Sequence, residues 1–476
     1  MPSPISPAPH ASRRSFIGVA GSAAVTALAG SATAEEPGAS GSAAAPAADK
    51  PPAVHAGGGE IRLALIGCGG RGAGAVSDAL GVTSAPVKLH AMADIFPASI
   101  ENRRKALEAQ FKEKIDVGPD RQFIGFEAYK QAMDALRPGD IAILTSPPGF
   151  RVPHFRYAIE KGLHVFMEKP IGVDGPSAKR IMELAPLADA KNLKVGCGLM
   201  CRHNSARQEL FQQIRDGAVG EIITLRGYRM HPAVQGWDLF PGPPEGVSEL
   251  QYQAKRFHCF LWAGGGIYSD YYVHHIDEAC WMKDAWPVKA EATGGRMFRG
   301  KIDDQNFDSY AVEYTFADGT KFFYAGRTIP KCESKFGVFG HGTKGAFRIS
   351  GSGHHPAKSA IFKGQEIDDA HVAWKAKEPE TNPYRQEWID LVDAIVNDKP
   401  YNEAVRGAMA SVATALGRFA AHTGRAVTFN EVLNCPDDLT AGVDALTDSS
   451  PAILLADKDG KYPVPYPGKY KYEFRD

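Results

Sequence analysis

The sequence predicts an α/β protein in two parts. A parallel sheet covered by helices comes first, then an α+β half built on a large, mostly antiparallel open sheet. Three observations carry this. A glycine-rich turn, GCGGRG, stands between a short apolar run, IRLALI (61–66), and a helical stretch, AGAVSDAL (73–80). Apolar runs of strand length then alternate with helix-length segments as far as residue 199. Beyond about residue 205 the pattern changes to period two, as in DSYAVEYTFADGTKFFYAGR (308–327), which folds about an Asp318-Gly319 turn.

Residues 1–59 precede the first strand. Arg13 and Arg14 stand before a weakly apolar, Gly/Ala-rich stretch from Phe16 to Gly30, and Ala32 to Ala34 offer a small-residue cleavage site. That order is the order of an export signal, and the paired arginines mark residues 1–34 as a twin-arginine signal. Gly18 stands where such signals usually carry a further basic residue. Residues 35–59 read as a flexible Gly/Ala/Pro linker. The expected location is the periplasm, or another compartment reached by the twin-arginine route. The seven cysteines, Cys68, Cys197, Cys201, Cys259, Cys280, Cys332 and Cys435, are odd in number and irregular in spacing, so no disulfide framework is expected despite the signal.

The 476 residues suggest two or three domains. Charge is balanced, with 54 Lys+Arg against 55 Asp+Glu, which argues against a nucleic-acid partner. After the signal, no stretch approaches the roughly 18 apolar residues of a membrane span. Domain boundaries are placed at 60–204 and 205–476.

The first half is justified element by element. Gly67, Gly69 and Gly72 have G-x-G-x-x-G spacing between strand and helix, and the next strand, VKLHAMAD, ends in Asp94. This is the context a dinucleotide-binding Rossmann domain requires. The first glycine allows the tight turn, the second lets a pyrophosphate approach the backbone, and the helix N-terminus faces that anion. Asp94 suits an adenosine ribose and would repel a 2′-phosphate, so NAD is favoured over NADP. The strand DIAILTSPP ends at Ser146 and Pro147, a helix follows from His154, and GLHVFMEKP ends at Glu168 and Lys169. Ligands of such sheets sit beyond the carboxyl ends of the strands. The expected cofactor-binding set is therefore Gly67, Cys68, Gly69, Gly70, Arg71, Gly72, Asp94, Ser146, Pro147, His154, Glu168 and Lys169.

In the second half, EIITLRGYRM (221–230) reads as a long strand and KFGVFGHGTKGAFRIS (335–350) as a second hairpin. Asn382 and Pro383 open a helix whose apolar face carries Tyr384, Trp388, Leu391 and Ile395. The segment AGGGIYSDYYVHHIDEACWM (263–282) is rich in polar side chains. If it is helical from Ser269, then Asp270, His274 and Asp277 share one face while His275 turns away by about 100°. Adjacent histidines on a helix do not easily share a metal, and no metal is expected. A structural histidine and a proton relay remain as readings of His274. In the relay His274 accepts a hydroxyl proton, Asp270 orients it or the substrate, and Asp277 holds the other side of the ring. Glycines 264–266 would let substrate approach the backbone. Arg202 and His203, after the strand LKVGCGL, are candidates for substrate hydroxyls. The long loop between 228 and 262 carries Tyr228, Trp237, Phe240, Tyr252, Phe257 and Trp262, whose faces suit sugars, with packing under the sheet as the alternative.

Three motifs in order, GCGGRG, Glu168-Lys169-Pro170 and GGGIYSDYYVHHID, resemble the Gfo/Idh/MocA family, which includes glucose–fructose oxidoreductase and inositol dehydrogenase. The resemblance covers roughly residues 60–430. It implies a nicotinamide cofactor, hydride transfer at a sugar or polyol carbon, and a C-terminal sheet used for dimer or tetramer contacts. It places the catalytic residues on Lys169, Asp270 and His274. A lysine at a strand end beside the cofactor would hydrogen-bond a substrate hydroxyl and steady alkoxide character, and a cis bond at Pro170 would aim it. The expected function is an NAD(P)-dependent oxidoreductase acting on a small carbohydrate or polyol, with NAD tightly held. The alternatives are a glycosidase working through transient oxidation and elimination, and a cofactor-retaining binding protein without turnover.

Overall fold

The computed structural model describes residues 54–474, apart from 56, 233–241 and 299–303. The twin-arginine signal, most of the linker, Trp237 and Phe240 lie outside the described residues.

The first half forms β1 (Ile61–Ile66), α1 (Gly70–Leu80), β2 (Val87–Asp94), α2 (Pro97–Phe111), β3 (Gln122–Ile124) and α3 (Ala128–Asp134). β4 (Ile141–Leu144), α4 (Arg151–Glu160), β5 (His164–Met167), α5 (Gly175–Ala190) and β6 (Val195–Cys197) follow. The six strands are parallel in the order β3-β2-β1-β4-β5-β6, the doubly wound order of a Rossmann sheet. β4 and β5 are buried at every residue, which is why they show no polar alternation, β4 as an unbroken apolar run and β5 as one broken only by His164. The turn in the order lies between β1 and β4, and the carboxyl ends of both strands open there into one cleft.

The second half contains α6 (Ser205–Arg215), β7 (Ile222–His231), α7 (Glu249–Lys255), α8 (Leu261–Gly264), α9 (Gly266–Lys283), β8 (Lys289–Gly295), β9 (Ser309–Thr315) and β10 (Lys321–Thr328). It continues with β11 (Lys335–Gly342), β12 (Gly345–Ser350), β13 (Ala360–Lys363), β14 (Val372–Lys375), α10 (Pro383–Val396), α11 (Ala404–Thr423), β15 (Val427–Thr428) and α12 (Phe429–Leu433). Nine strands pair in the order β14-β13-β12-β11-β7-β10-β9-β8-β15. Every neighbouring pair is antiparallel except β7 and β10, which run parallel from Thr224↔Lys321 to His231↔Thr328. α9 and α11 cover one face of this sheet, where Tyr310, Tyr314, Phe322 and Tyr324 are buried, and the Tyr268 and Tyr314 hydroxyls lie 2.9 Å apart. Ile223 and Phe323 stand exposed on strands of the same sheet.

Two segments cross back to the first sheet. On α10, Trp388, Leu391, Val392 and Ile395 pack into the same apolar cluster as β1, α1 and β2, and Trp388 stacks on Phe166 of β5 at 4.4 Å. Asn382 caps this helix through the Tyr384 N–H at 3.1 Å, with Pro383 in the first turn. The chain after α12 is largely irregular but closely tied. Leu439 N–H donates to Asp174 at 2.7 Å, Gln253 Nε2 donates to Leu454 O at 2.6 Å, and Gln305 Nε2 donates to Pro463 O at 3.0 Å. Among the described residues no helix is long and apolar enough to cross a membrane.

Candidate functional site

The glycine-rich turn builds a cradle. Gly67 has φ +93°, and a Cβ there would stand 2.5 Å from Ser146 N, so the backbones of the β1 and β4 ends meet with no room for a side chain. α1 begins at once, and its N-cap residue Gly69 makes no side-chain cap, leaving the first-turn N–H groups available to an anion. A Cβ at Gly69 would meet nothing within 4 Å, so the space before that turn is open. The cradle leads into a cleft of about 470 Å³ lined by Gly67, Cys68, Gly69, Gly70, Asp94, Ser146, Pro147 and His154 of the expected set. The remaining four stand behind it. Gly72 lets α1 press on the turn. Arg71 pairs with Glu168 at 2.7 Å and lies over the Tyr384 ring, bracing the loop against β5. Lys169 points to α9.

Asp94 accepts from the N–H of Cys68 at 2.7 Å and of Phe96 at 2.8 Å, which joins the β2 end to the glycine turn. Burial pushes its carboxyl up, against the pull of those two amides. His154 Nδ1 meets Ser146 Oγ at 3.0 Å, and burial, with the Arg151 charge, lowers its ring to about 3. It is a neutral wall residue. The far side of the cleft comes from the second half, through Ala254, Lys255 and Phe257. Phe257 was among the loop aromatics expected to face substrate, whereas no sequence pattern marked Ala254 or Lys255. Lys255, at the end of a short helix, lies 4.7 Å over the Phe96 ring.

The polar pair lies just beyond. The Lys169–Pro170 bond is cis. Lys169 Nζ donates to Asp270 Oδ1 at 3.0 Å and to the Asp270 carbonyl at 2.6 Å. His258, directly after the cleft residue Phe257, brings Nδ1 within 3.3 Å of Asp270 Oδ2. Burial alone would raise the Asp270 carboxyl, but the Lys169 ammonium and His258 outweigh it and hold it well below the usual carboxylate range. One turn on, His274 is held well below the ordinary histidine range by burial and by Lys169, Arg229 and His275. It is therefore neutral, and its Nδ1 has no hydrogen-bond partner among the described residues. Its ring lies 4.6 Å from that of His354.

α9 is buried on nearly all sides, and its other polar groups are held by arginines from distant parts of the chain. Arg202 pairs with both oxygens of Asp277 at 2.8 Å. Arg207 pairs with Glu278 at 2.6 Å. Arg418 NH1 donates to Val173 O at 2.7 Å, Gly265 O at 2.9 Å and Ser269 Oγ at 3.0 Å. Arg418 also pairs with Glu473 at 2.9 Å through both Nε and NH2.

Several expectations change here. Asp277 holds Arg202 rather than the His274 ring, because the guanidinium reaches it bidentately. His203 lies between Asp390 at 2.5 Å and Glu403 at 3.3 Å, which overcome burial and push it up to about 9. Trp262 is 3% exposed, spends its indole N–H on Gln253 at 2.8 Å and packs edge-on against Phe150. Arg202, His203, Asp277 and Trp262 are thus engaged within the protein instead of standing free for hydroxyls. Gly265 and Gly266 take φ +70° and +73° in a buried turn, and a Cβ on Gly266 would stand 2.7 Å from Asn306 Oδ1. They permit the tight entry into α9, which starts at Gly266, three residues before the expected Ser269. His275 is fully buried, 3.3 Å from the Tyr324 hydroxyl.

Comparison with known proteins agrees with the Rossmann fold of the first half. Residues 61–198 match the profile of the GFO_IDH_MocA family, described as an oxidoreductase family with an NAD-binding Rossmann fold. Inositol 2-dehydrogenase of Corynebacterium glutamicum (strain R) is 33% identical over 112 residues, which are 23% of this chain and 33% of that protein. The match thus spans about a third of that relative's length. Inositol 2-dehydrogenase of Rhizobium meliloti (strain 1021) is 24% identical over 310 residues, 64% of this chain and 79% of the relative. The crystal structure of scyllo-inositol dehydrogenase from Lactobacillus casei with bound NAD(H) and scyllo-inositol is similar in fold, with TM-score 0.56 and 21% identity, covering 78% of this chain and 99% of that one. Over residues 61–198 the chain is thus similar to the NAD-binding Rossmann domain of the Gfo/Idh/MocA oxidoreductases.

Proposed function

We propose that the protein is an NAD(P)-dependent oxidoreductase that moves a hydride to or from an alcohol carbon of a sugar, glycoside or polyol. The observation that carries the reading is the Lys169–Asp270 pair at 3.0 Å, tied through His258, the neighbour of Phe257, to a glycine-lined cleft and one helical turn from a neutral His274. The glycine turn, the uncapped start of α1 and Asp94 fit a dinucleotide. Asp94 favours NAD over NADP. The nicotinamide, when bound, supplies the hydride acceptor or donor.

The chain's own residues handle the hydroxyl. Lys169 donates a hydrogen bond to the reacting oxygen and steadies its alkoxide character, while Asp270 fixes the ammonium. His274, neutral and with a free ring nitrogen, takes the hydroxyl proton as the C–H electron pair leaves, and returns it in the reverse direction. Its low proton affinity reflects burial and the Lys169 charge. A developing alkoxide beside Lys169 offsets that charge and raises the affinity of the ring when the proton moves.

Export by the twin-arginine route and tight retention of the nucleotide belong to the same proposal, since a soluble NAD pool is scarce outside the cytoplasm. The test is to purify the protein, analyse it for bound nucleotide by absorbance and mass spectrometry, and follow NADH absorbance over a panel of sugars and polyols. Bound or tightly binding NAD(H), with turnover on at least one polyol, is the expected result. Absence of nicotinamide-nucleotide binding would remove the reading.

A further inference from the structure

We propose that the substrate of this site carries an anionic group, a carboxylate or a phosphate, and that Arg229 and Lys335 recognise it. The inference rests on the oxidoreductase reading above and narrows its substrate class. A pocket of about 400 Å³ lies beside α9, between the end of β7 and the start of β11. Arg229, His231, Lys335 and Tyr271 line it, and none of its lining residues is acidic. The arginines that anchor α9, namely Arg202, Arg207 and Arg418, each meet a carboxylate. Arg229 touches the same helix, donating from NH1 to Tyr271 O at 2.8 Å, yet neither it nor Lys335 pairs with a carboxylate among the described residues.

A part-buried guanidinium without an anion is costly to keep, because the carbonyl and ring contacts that replace part of its hydration leave its charge unmatched. Here the guanidinium is also held flat, 4.9 Å over the Tyr271 ring and 5.5 Å from that of Phe336. A fixed planar fork is suited to an oxyanion pair. Lys335 adds a second cation at the rim, 3.7 Å over the Tyr228 ring. His231, whose Nδ1 is spent on Pro232 O at 2.7 Å, leaves Nε2 without a partner among the described residues.

The pocket shares α9 with the reacting groups, through Tyr271. Tyr271 follows Asp270 in the chain. Arg229 NH1 lies 2.8 Å from His354 Nε2, and the His354 ring lies 4.6 Å from that of His274. One small molecule would place its anion on Arg229 and a hydroxyl near Lys169 and His274.

The test uses the full chain saturated with NADH. Binding is measured by calorimetric titration of glucose, galactose and mannose, of their uronates, and of their 6-phosphates. At least one anionic sugar is expected to bind ten or more times tighter than its neutral parent, with a preference that falls as salt is raised. A uronate as the tighter ligand assigns a carboxylate, and a 6-phosphate assigns a phosphate. Arg229→Met and Lys335→Met are each expected to reduce the preference at least threefold. Lys335 is exposed, so its replacement reports even where Arg229→Met folds poorly. Neutral sugars binding as well as their anionic counterparts, or no anionic sugar binding at all, would overturn the inference. NADH fluorescence is recorded separately, because loss of nucleotide binding overturns the oxidoreductase reading instead.

Discussion

Glu473→Gln should destabilise the protein and slow it together. The Glu473 carboxylate is buried and accepts from Arg418 Nε and NH2 at 2.9 Å each and from His422 Nδ1 at 2.6 Å. Glutamine keeps the shape but removes the charge, leaving the Arg418 guanidinium buried and uncompensated. Breaking one side of a buried pair in this way costs about 3–5 kcal/mol. Unfolding entropy near 2.1 cal/mol/K per residue over roughly 420 ordered residues is about 0.9 kcal/mol/K, so Tm should fall by about 3–6 °C. Arg418 also holds Gly265 O and Ser269 Oγ, next to Asp270, and Val173 O, beyond Lys169 and Pro170. Any shift of the guanidinium therefore reaches both sides of the Lys169–Asp270 pair, and kcat should fall with Tm. Thermal denaturation and steady-state kinetics on the purified variant measure both. The double variant Arg418→Met, Glu473→Leu should recover part of the lost stability, since it removes both charges, but less of the activity. A Tm within about 1 °C of the parent, with kcat unchanged, would refute the keystone role of this pair.

Lys169→Met should lower kcat/KM for any accepted polyol about 10²–10³-fold, with nucleotide affinity followed by NADH fluorescence as the control; an unchanged kcat/KM removes Lys169 from the chemistry. Gly67→Ala puts a Cβ 2.5 Å from Ser146 N at φ +93°, and should raise the dissociation constant for NADH tenfold or more in the same fluorescence titration. Retained affinity would contradict the cradle. Acid should weaken the fold through buried neutral histidines, since His154 and His164 are lowered to about 3 and about 4. Their pKa values are depressed in the folded state, so no stability is lost above pH ~6.5. Each then withdraws about 1.4 kcal/mol per pH unit below that. His203, pushed up to about 9, works the other way, its contribution complete below pH ~6.5 and lost as pH rises through 9. Urea midpoints at pH 7 and pH 5 should therefore differ by about 2–4 kcal/mol of stability, and equal midpoints would contradict the burial of these rings. All seven cysteines are free thiols, and only Cys332 is not buried, so a thiol reagent should titrate one rapidly in the native protein and seven after unfolding.

The parallel sheet and its glycine turn were legible because the pattern is local. Strand, turn, helix and Asp94 follow within some thirty residues, and each step has a physical reason that residue types alone express. Asp270 and His274 were legible for the same reason, since helical spacing places them on one face. What escaped were the partners. Asp277 looks equally suited to the relay, and only the fold brings Arg202 to it. His258, Arg229 and His354 carry no spacing that ties them to α9, because each arrives from a different loop or strand. The apolar face of α10 was visible as Trp388, Leu391 and Ile395, but periodicity does not say which core a face joins. The parallel β7–β10 pairing was hidden likewise, since alternation looks the same whichever way a neighbour runs.

The return of α10 to the first sheet bears on how the chain is made. On the ribosome, β1 to β6 emerge with the pocket for Trp388 unfilled. The helix that fills it comes roughly 190 residues later, about 10–40 s at ~5–20 residues per second. Throughout that interval the face around Phe166 and Leu63 is open to solvent and to other nascent chains. A fragment ended near residue 204 would remain in that state permanently. The nucleotide-binding half is thus contiguous as a sequence motif but not as a unit of synthesis, and chaperone demand should be highest before α10 is complete.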